Sequence, residues 1–432
     1  MPRRTKTPIL AMLTAAATLL AGCSGSLAQS LFAPERAAEP TRKPGATNTS
    51  TNTTDPVSGN FAQWRAGFRV KALAAGISAA VFDRAFAGVR LNRKVIELDR
   101  RQPEFSRAIW QYLDNAISQT RINTAKQQLR NKATLLRGIQ SKYGVDSAVV
   151  IAIWGLESNF GGNFGNFSVI ETMATLAYEG RRREFAEEEL IAALKIIQAG
   201  DVSAGGLLGS WAGAMGHTQF IPSSYLRFAV DHDGNGRRDI WEPRAVDALA
   251  STAKYLAHFG WRLGQPAYVE VRVPDGFNYA QASDKVRLTA AEWRARGIRA
   301  LSGNLPDSDG VSIILPGGAR GPAFAVYPNF RVIKRYNNAT SYALAVAHLA
   351  VRMTGGPRIQ AAWPRDDRML SRTEKKELQQ RLTALGYDTQ GVDGVIGPDS
   401  REAVRAFQLA RGLTPDGYVS ARILSAVRAA GG

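Results

Sequence analysis

The stretch that decides the fold is SKYGVDSAVVIAIWGLESNFGG, Ser141 to Gly162. Asp146 and Ser147 can cap a helix start, and Gly161–Gly162 can stop it. Between them the chain is apolar on every face, the mark of a helix at the centre of a core. One carboxylate, Glu157, falls in the last turn. On a helix it shares a face with Ile153 and Trp154. Burial beside an aromatic ring disfavours its ionised form, and so does the negative end of the helix dipole. Both push the pKa upward, as a general acid at neutral pH requires. Taken alone, the helix leaves open a structural glutamate bonded to a backbone amide or an arginine.

The chain has 432 residues, enough for two domains and a sizeable core. Its 55 Lys+Arg against 37 Asp+Glu give a formal net charge of +18. That balance favours an anionic partner: nucleic acid, a phospholipid surface or an acidic polymer. The first residues narrow the choice. MPRRTKTPILAMLTAAATLLAGC has a basic start and an apolar run from Ile9 to Leu20, too short to span a membrane but suited to a secretory signal. It ends in LAGC, whose Cys23 is the only cysteine of the chain.

This resembles a bacterial lipobox. The resemblance implies a signal peptide over residues 1–22 and lipidation of Cys23, the alternative being an ordinary signal with an incidental cysteine. Ser24 after it implies release to the outer membrane, so the expected place is the periplasmic face of the outer membrane of a Gram-negative bacterium. A lone cysteine leaves no intrachain disulfide, so stability must come from the core. Residues 23–60, rich in Pro, Thr, Asn, Ser and Ala, read as a flexible tether.

From Phe61 to about Gly200 apolar residues recur at helical spacing. Between about Pro266 and Lys334 the period changes. AYVEVRV, VSIILPGG and AFAVYPNFRVIKRY alternate or run β-branched, as short strands would. Helix returns at TSYALAVAHLAVRM. Residues 354–370 have the composition of a linker, and 371–430 form a compact module. The expected fold class is α+β, predominantly α, with a small antiparallel β insertion.

DHDGNGRRDIWE, Asp231 to Glu242, fits the twelve-residue EF-hand template. Asp231, Asp233 and Asn235 take positions 1, 3 and 5, Gly236 makes the turn, and Glu242 closes at 12. Arg237 would offer its carbonyl, and Asp239 could bind through water. A structural Ca2+ is therefore expected, with no organic cofactor. The four histidines (His217, His232, His258, His348) have no zinc spacing and read as structural.

GLESNFG, the later GSWAGAMGHTQFIPSSY (Gly209–Tyr225) and RYNNATSYALA (Arg335–Ala345), with RQPEF and YLD upstream, resemble the membrane-bound lytic murein transglycosylase B family. The resemblance covers residues 61–353 and implies a lysozyme-like catalytic domain. It places the sole catalytic carboxylate at Glu157, with Ser210 and Gln219 lining a sugar groove. Tyr336, Asn337 and Tyr342 would flank the reacting centre, and Tyr112 is carried over by spacing. The single EF-hand loop of that family points to a structural ion.

A hydrolase of the usual kind needs a second carboxylate, and Glu171 and Glu179 read as ordinary helix residues. The family instead uses one glutamate as acid and then base, closing a 1,6-anhydro ring without water. LQQRLTALGYDTQGVDGVIGPDSREAVRAFQLARGLTPDGYVSARIL resembles a three-helix peptidoglycan-binding domain, with Leu378, Leu382, Ala403, Phe407 and Leu424 as core positions. The expected partners are peptidoglycan strands and, through Cys23, a membrane. Nucleic acid drops out once export is granted. A muramidase, or a lipid-anchored wall-binding protein without activity, are the competing readings.

Overall fold

The structure is a computed structural model and describes residues 57–100 and 107–431. The signal segment, Cys23, most of the tether and the RQPEF stretch lie outside those residues. Contacts divide the described residues into two compact units, 57–100 with 153–255, and 107–152 with 256–431.

In the first unit the helix Val57–Ala74 begins inside the expected tether. It presents Phe61, Trp64 and Phe68 at three- and four-residue spacing, and their rings stack with centroids 5.4 Å apart at each step. Phe82, from the helix Ala79–Ala85, and Phe86, its C-cap, continue the apolar layer. Next to this comb lies a helical hairpin, Val169–Glu179 and Arg183–Ala199, turned by Gly180 in the left-handed conformation. Asp99 is buried beneath the turn and accepts from Arg181 Nε and Nη2 at 2.7 and 2.5 Å. A two-stranded antiparallel ladder, Phe167–Ser168 with Leu208–Gly209, is extended by bridges from Gly209 to Met215 and from Met215 to Phe220. This folding back lays the segment 209–220 beside residues 161–168.

In the second unit the helices Ile109–Ala116 and Gln119–Asn131 pack on Thr340–Met353. A four-stranded antiparallel sheet runs in the order Arg299–Ala300, Tyr268–Arg272, Ala323–Val326, Ser312–Ile314. Its core gathers Val271, Trp293, Ile298, Ile313, Ala325 and Tyr327. The β insertion is where expected, with one correction. AFAVYPNFRVIKRY is a strand only over Ala323–Val326, and Pro328–Tyr336 is a helix. Pro328 stands at its start, where a missing amide costs nothing, and Phe330, Ile333 and Tyr336 fall on one buried stripe.

The C-terminal module has helices Arg372–Ala384, Pro398–Ala410 and Ala421–Ala430 around Leu378, Leu382, Ala403, Phe407 and Leu424. Between Met353 and Arg372 there is neither helix nor strand, yet the chain is held. The Glu270 carboxylate accepts from the Gln360 and Ala361 amides, both at 2.8 Å. Trp363 packs on Trp110 and Phe324, and Arg365 forks onto Asp114 at 2.7 and 2.9 Å. Asp416 accepts from the Ala319 amide at 2.8 Å.

Candidate active site

The helix Ser147–Ser158 is buried continuously from Val149 to Ser158. Asp146 holds its N-terminus by backbone, since its carbonyl receives the Val149 amide. The Asp146 carboxylate is turned elsewhere, accepting from Trp261 Nε1 at 2.8 Å. Glu157 lies in the last turn at 3 % exposure.

The backbone just beyond Glu157 is unusual. Asn159, Phe160 and Gly161 have φ of 51°, 60° and 84°, three left-handed residues in a row. For Asn and Phe this conformation costs free energy and persists only when its surroundings over-determine it. Four contacts do so. The Phe160 amide reaches back to the Trp154 carbonyl at 3.3 Å. Ser158 Oγ donates to the His217 carbonyl at 2.7 Å and accepts the Gly161 amide at 3.0 Å. The Phe160 ring folds over Gly155, where an added Cβ would stand 2.6 Å from it. The helix end that bears Glu157 is therefore fixed by the very motif, GLESNFG, that marked it.

His217 lies against this turn. Its Nδ1 receives the Trp154 indole N–H at 3.1 Å, and its Nε2 faces the Glu242 carbonyl at 2.8 Å. Gln219 is buried with φ of 55°. Its Nε2 donates to the Phe164 and Gly216 carbonyls at 3.1 and 2.9 Å, which fixes the amide orientation. Its Oε1 is left without a protein partner. Ser210 has a second occupation. Its Oγ accepts the Ala212 and Ala214 amides at 3.3 and 3.2 Å, so the hydroxyl holds a turn and retains only its proton to give. Glu157, Ser210 and Gln219 all belong to the first unit.

Tyr112, Tyr336, Asn337 and Tyr342 belong to the second unit. Tyr336 ends one helix, Asn337 is its C-cap with Oδ1 accepting the Ala339 amide at 3.1 Å, and Tyr342 lies in the first turn of the next. The helix of Tyr112 packs on that of Tyr342. Tyr336 and Tyr342 are buried as core residues are. Glu171 and Glu179 have structural partners: Asn92 Nδ2 at 2.8 Å for the first and Arg100 at 2.6 Å for the second.

In the 231–242 loop, Gly236 turns at φ 87°, and Asp231 accepts the Gly234, Asn235 and Gly236 amides at 2.7, 3.1 and 2.8 Å. Oxygens of Asp231 and Asp233 come within 4.8 Å of one another and of Asp247, a residue beyond the loop. Buried Asp247 receives the His232 and Asp239 amides at 2.7 and 2.9 Å, closing the loop from inside. Burial raises its pKa, and these amide bonds offset part of the shift. Asn235 Oδ1 accepts the Arg237 amide, and Asp239 Oδ1 the Trp241 amide, both at 2.9 Å. Glu242 takes the Val246 amide at 2.8 Å and Arg244 Nε at 3.2 Å, while Arg244 Nη2 reaches Asp233 at 2.8 Å. Burial opposes the Glu242 anion, but these donors outweigh it and hold its carboxyl below the ordinary value. An all-oxygen donor set centred on Asp231 and Asp233 fits a hard cation. Arg238, bound to buried Asp201 at 2.5 Å, and Trp241, donating to the Leu208 carbonyl at 3.0 Å, fasten the loop to its unit.

Of these residues, sequence reasoning missed Asp247, and it read His217 as structural without naming its partners. Neither carries a local signal: Trp154 lies 63 positions from His217, and the amides on Asp247 come from 15 and 8 positions away.

Residues 60–351 match the family described as transglycosylase SLT domain, and residues 371–427 match the putative peptidoglycan binding domain. The chain is 33 % identical over 214 residues to membrane-bound lytic murein transglycosylase B of Escherichia coli K12, covering 48 % of this chain and 56 % of that protein. The match thus spans little more than half the length of that relative. The fold superposes with TM-score 0.81 on the crystal structure of SltB3 from Pseudomonas aeruginosa in complex with NAG-anhNAM-pentapeptide, at 50 % identity over 85 % of this chain and 99 % of the other. It matches Escherichia coli lytic transglycosylase SLT35 in complex with calcium with TM-score 0.59, at 27 % identity over 69 % and 93 % of the two chains. With its catalytic-domain motifs matched over most of its length, the chain belongs to the transglycosylase SLT domain family of lytic transglycosylases, followed by a peptidoglycan-binding domain.

Proposed function

We propose that the protein is a lytic murein transglycosylase that cleaves the β-1,4 bond between N-acetylmuramic acid and N-acetylglucosamine without water. The observation that carries this reading is Glu157, a buried carboxylate at a helix end held by a left-handed turn. Its proton passes to the glycosidic oxygen as the bond to C1 breaks, and the muramic N-acetyl group supports the electron-poor carbon. The carboxylate then takes the proton of the C6 hydroxyl, whose oxygen bonds to C1 and closes the 1,6-anhydro ring. One group acts as acid and then base. The structural engagement of Glu171 and Glu179 is consistent with a mechanism that lacks a second carboxylate. SltB3 has been crystallised with a NAG-anhNAM peptide, the product class this chemistry gives.

Gln219 Oε1, buried and unpartnered, is suited to accept an N–H or hydroxyl of the sugar. Ser210 would offer its remaining proton. Tyr112, Tyr336, Asn337 and Tyr342 are assigned to the groove by the family resemblance. Asp231, Asp233, Asn235, the Arg237 carbonyl, Asp239 and Glu242 would hold a Ca2+ ion that stiffens the loop and takes no part in the bond changes. Cys23 would carry the lipid that fixes the enzyme to the outer membrane facing the periplasm. Residues 61–353 would be the catalytic domain and 371–430 the module that keeps it on its polymer. Among the described residues no helix is long and apolar enough to cross a membrane.

The test is mass spectrometry of soluble muropeptides released from purified peptidoglycan by protein lacking residues 1–23. Products one water lighter than hydrolysed species, absent with Glu157→Gln, are expected. Full-mass reducing ends would make the enzyme a muramidase, and no products would leave a wall-binding protein.

A further inference from the structure

We infer that His217 is a positioning residue for the helix end that bears Glu157, anchored on the closing residue of the 231–242 loop. The inference rests on Glu157 as the acid and adds to that reading how the acid is held.

Hydrogen-bond accounting fixes the state of the ring. The Glu242 carbonyl can only accept, so the contact at 2.8 Å requires a proton on Nε2. The Trp154 indole can only donate, so the contact at 3.1 Å requires a bare lone pair on Nδ1. Both hold together only in the neutral Nε2–H tautomer. The ring is buried, at 3 % exposure. It therefore reads one fixed point, the loop carbonyl, and presents one acceptor to the helix.

What it holds is the residue one turn before Glu157. Trp154 and Glu157 lie three apart on the same helix face, so a change in the indole's placement is felt on that face. The backbone of His217 adds two further ties. Its amide donates to the Ile240 carbonyl at 3.0 Å, and its carbonyl accepts Ser158 Oγ at 2.7 Å. The imidazole also fills the space over Gly161, where a Cβ would come within 2.3 Å of the ring. Helix, left-handed turn and ion loop all meet at this one side chain. Both ring nitrogens are engaged by protein groups, which is why His217 positions and does not react.

Two substitutions separate its two nitrogens. His217→Asn places an amide oxygen where Nδ1 was and keeps the acceptor for Trp154. His217→Gln places an amide nitrogen where Nε2 was and keeps the donor to Glu242. Turnover of soluble glycan strands is measured for both, for Trp154→Phe, for the Trp154→Phe/His217→Gln double variant and for Glu157→Gln, with melting temperatures alongside. The expectation for His217→Gln and Trp154→Phe is a kcat lower by about 10- to 100-fold at nearly unchanged KM, since small misplacements of a reacting group cost about that much. The double variant should be no worse than either alone, and His217→Asn, which keeps the acceptor for Trp154 but loses the anchor on Glu242, should recover only part of the loss; full recovery would show that Glu242 does not anchor it. Full kcat in His217→Gln, multiplying losses in the double variant, or no rescue by Asn would each overturn the inference while an inactive Glu157→Gln keeps the proposed mechanism. An active Glu157→Gln would remove both. Should His217→Gln fail to fold, Trp154→Phe and His217→Asn decide alone.

Discussion

Carboxylates stand in opposite surroundings in two regions of this chain. Glu157 is buried in the last turn of an apolar helix. The 231–242 loop collects Asp231, Asp233 and Glu242 near solvent and surrounds them with backbone amides and Arg244. Amide and guanidinium donors stabilise an anion, which suits a cation-binding loop. Burial by itself disfavours an anion, which would suit the proton-delivering role proposed for Glu157. On the proposed reading, placement more than residue type would separate an acid from an ion ligand.

The comparison breaks most easily at Glu157. Glu157→Gln is expected to lower kcat by about 10³-fold, within the range general acid–base catalysis contributes, while the melting temperature and its calcium response stay as they were. A calcium response lost in this variant would show that the two carboxylate regions are not independent. The loop is tested by thermal melting with and without Ca2+. At a hundredfold excess over Kd, binding to the folded state alone adds about 2.7 kcal/mol; chelation should remove that gain and leave turnover at low temperature. An unchanged melting temperature would sink the ion.

Next in size is Gly155→Ala, whose Cβ would meet the Phe160 ring at 2.6 Å. A loss of about 1–3 kcal/mol in denaturant titration is expected, as for overpacked sites generally.

Another buried titratable group sharpens the contrast. His348 accepts the Tyr268 hydroxyl at 2.6 Å, and burial, with Arg352 nearby, lowers its pKa to about 4. Its folded pKa lies below the unfolded value. The stability it gives is therefore complete above about pH 6.5 and is lost as pH falls towards 4. Between pH 7 and 5 the loss should be about 1–2 kcal/mol, and His348→Gln should flatten that part of the stability curve. A buried group with a structural partner thus yields a pH-dependent stability, not a reaction.

Much of this was legible. The apolar run before Glu157, the aspartate spacing of the loop and the turn-rich C-terminal module each encode their structure locally. The helix Pro328–Tyr336 was hidden because Val332–Ile333 read as a strand continuing from Val326, and Pro328 had to be weighed as a helix start. The 354–370 segment looked like a free linker by composition. Its anchorage depends on Glu270 and Asp114, residues distant in sequence. Asp247, and the partners of His217, escape the sequence for the same reason: folding brings them together, and no spacing announces them.

The lock between Gly155 and Phe160 also bears on how this segment can diverge. A side chain at 155 and a ring at 160 compete for one space, so either change alone meets a barrier that the pair together avoids. The route from glycine to alanine at 155 runs through a smaller residue at 160 first. That residue must still adopt a left-handed backbone, which leaves asparagine and glycine as the easiest steps. Positions 155 and 160 are thus sterically coupled, and a change at one constrains what the other can hold.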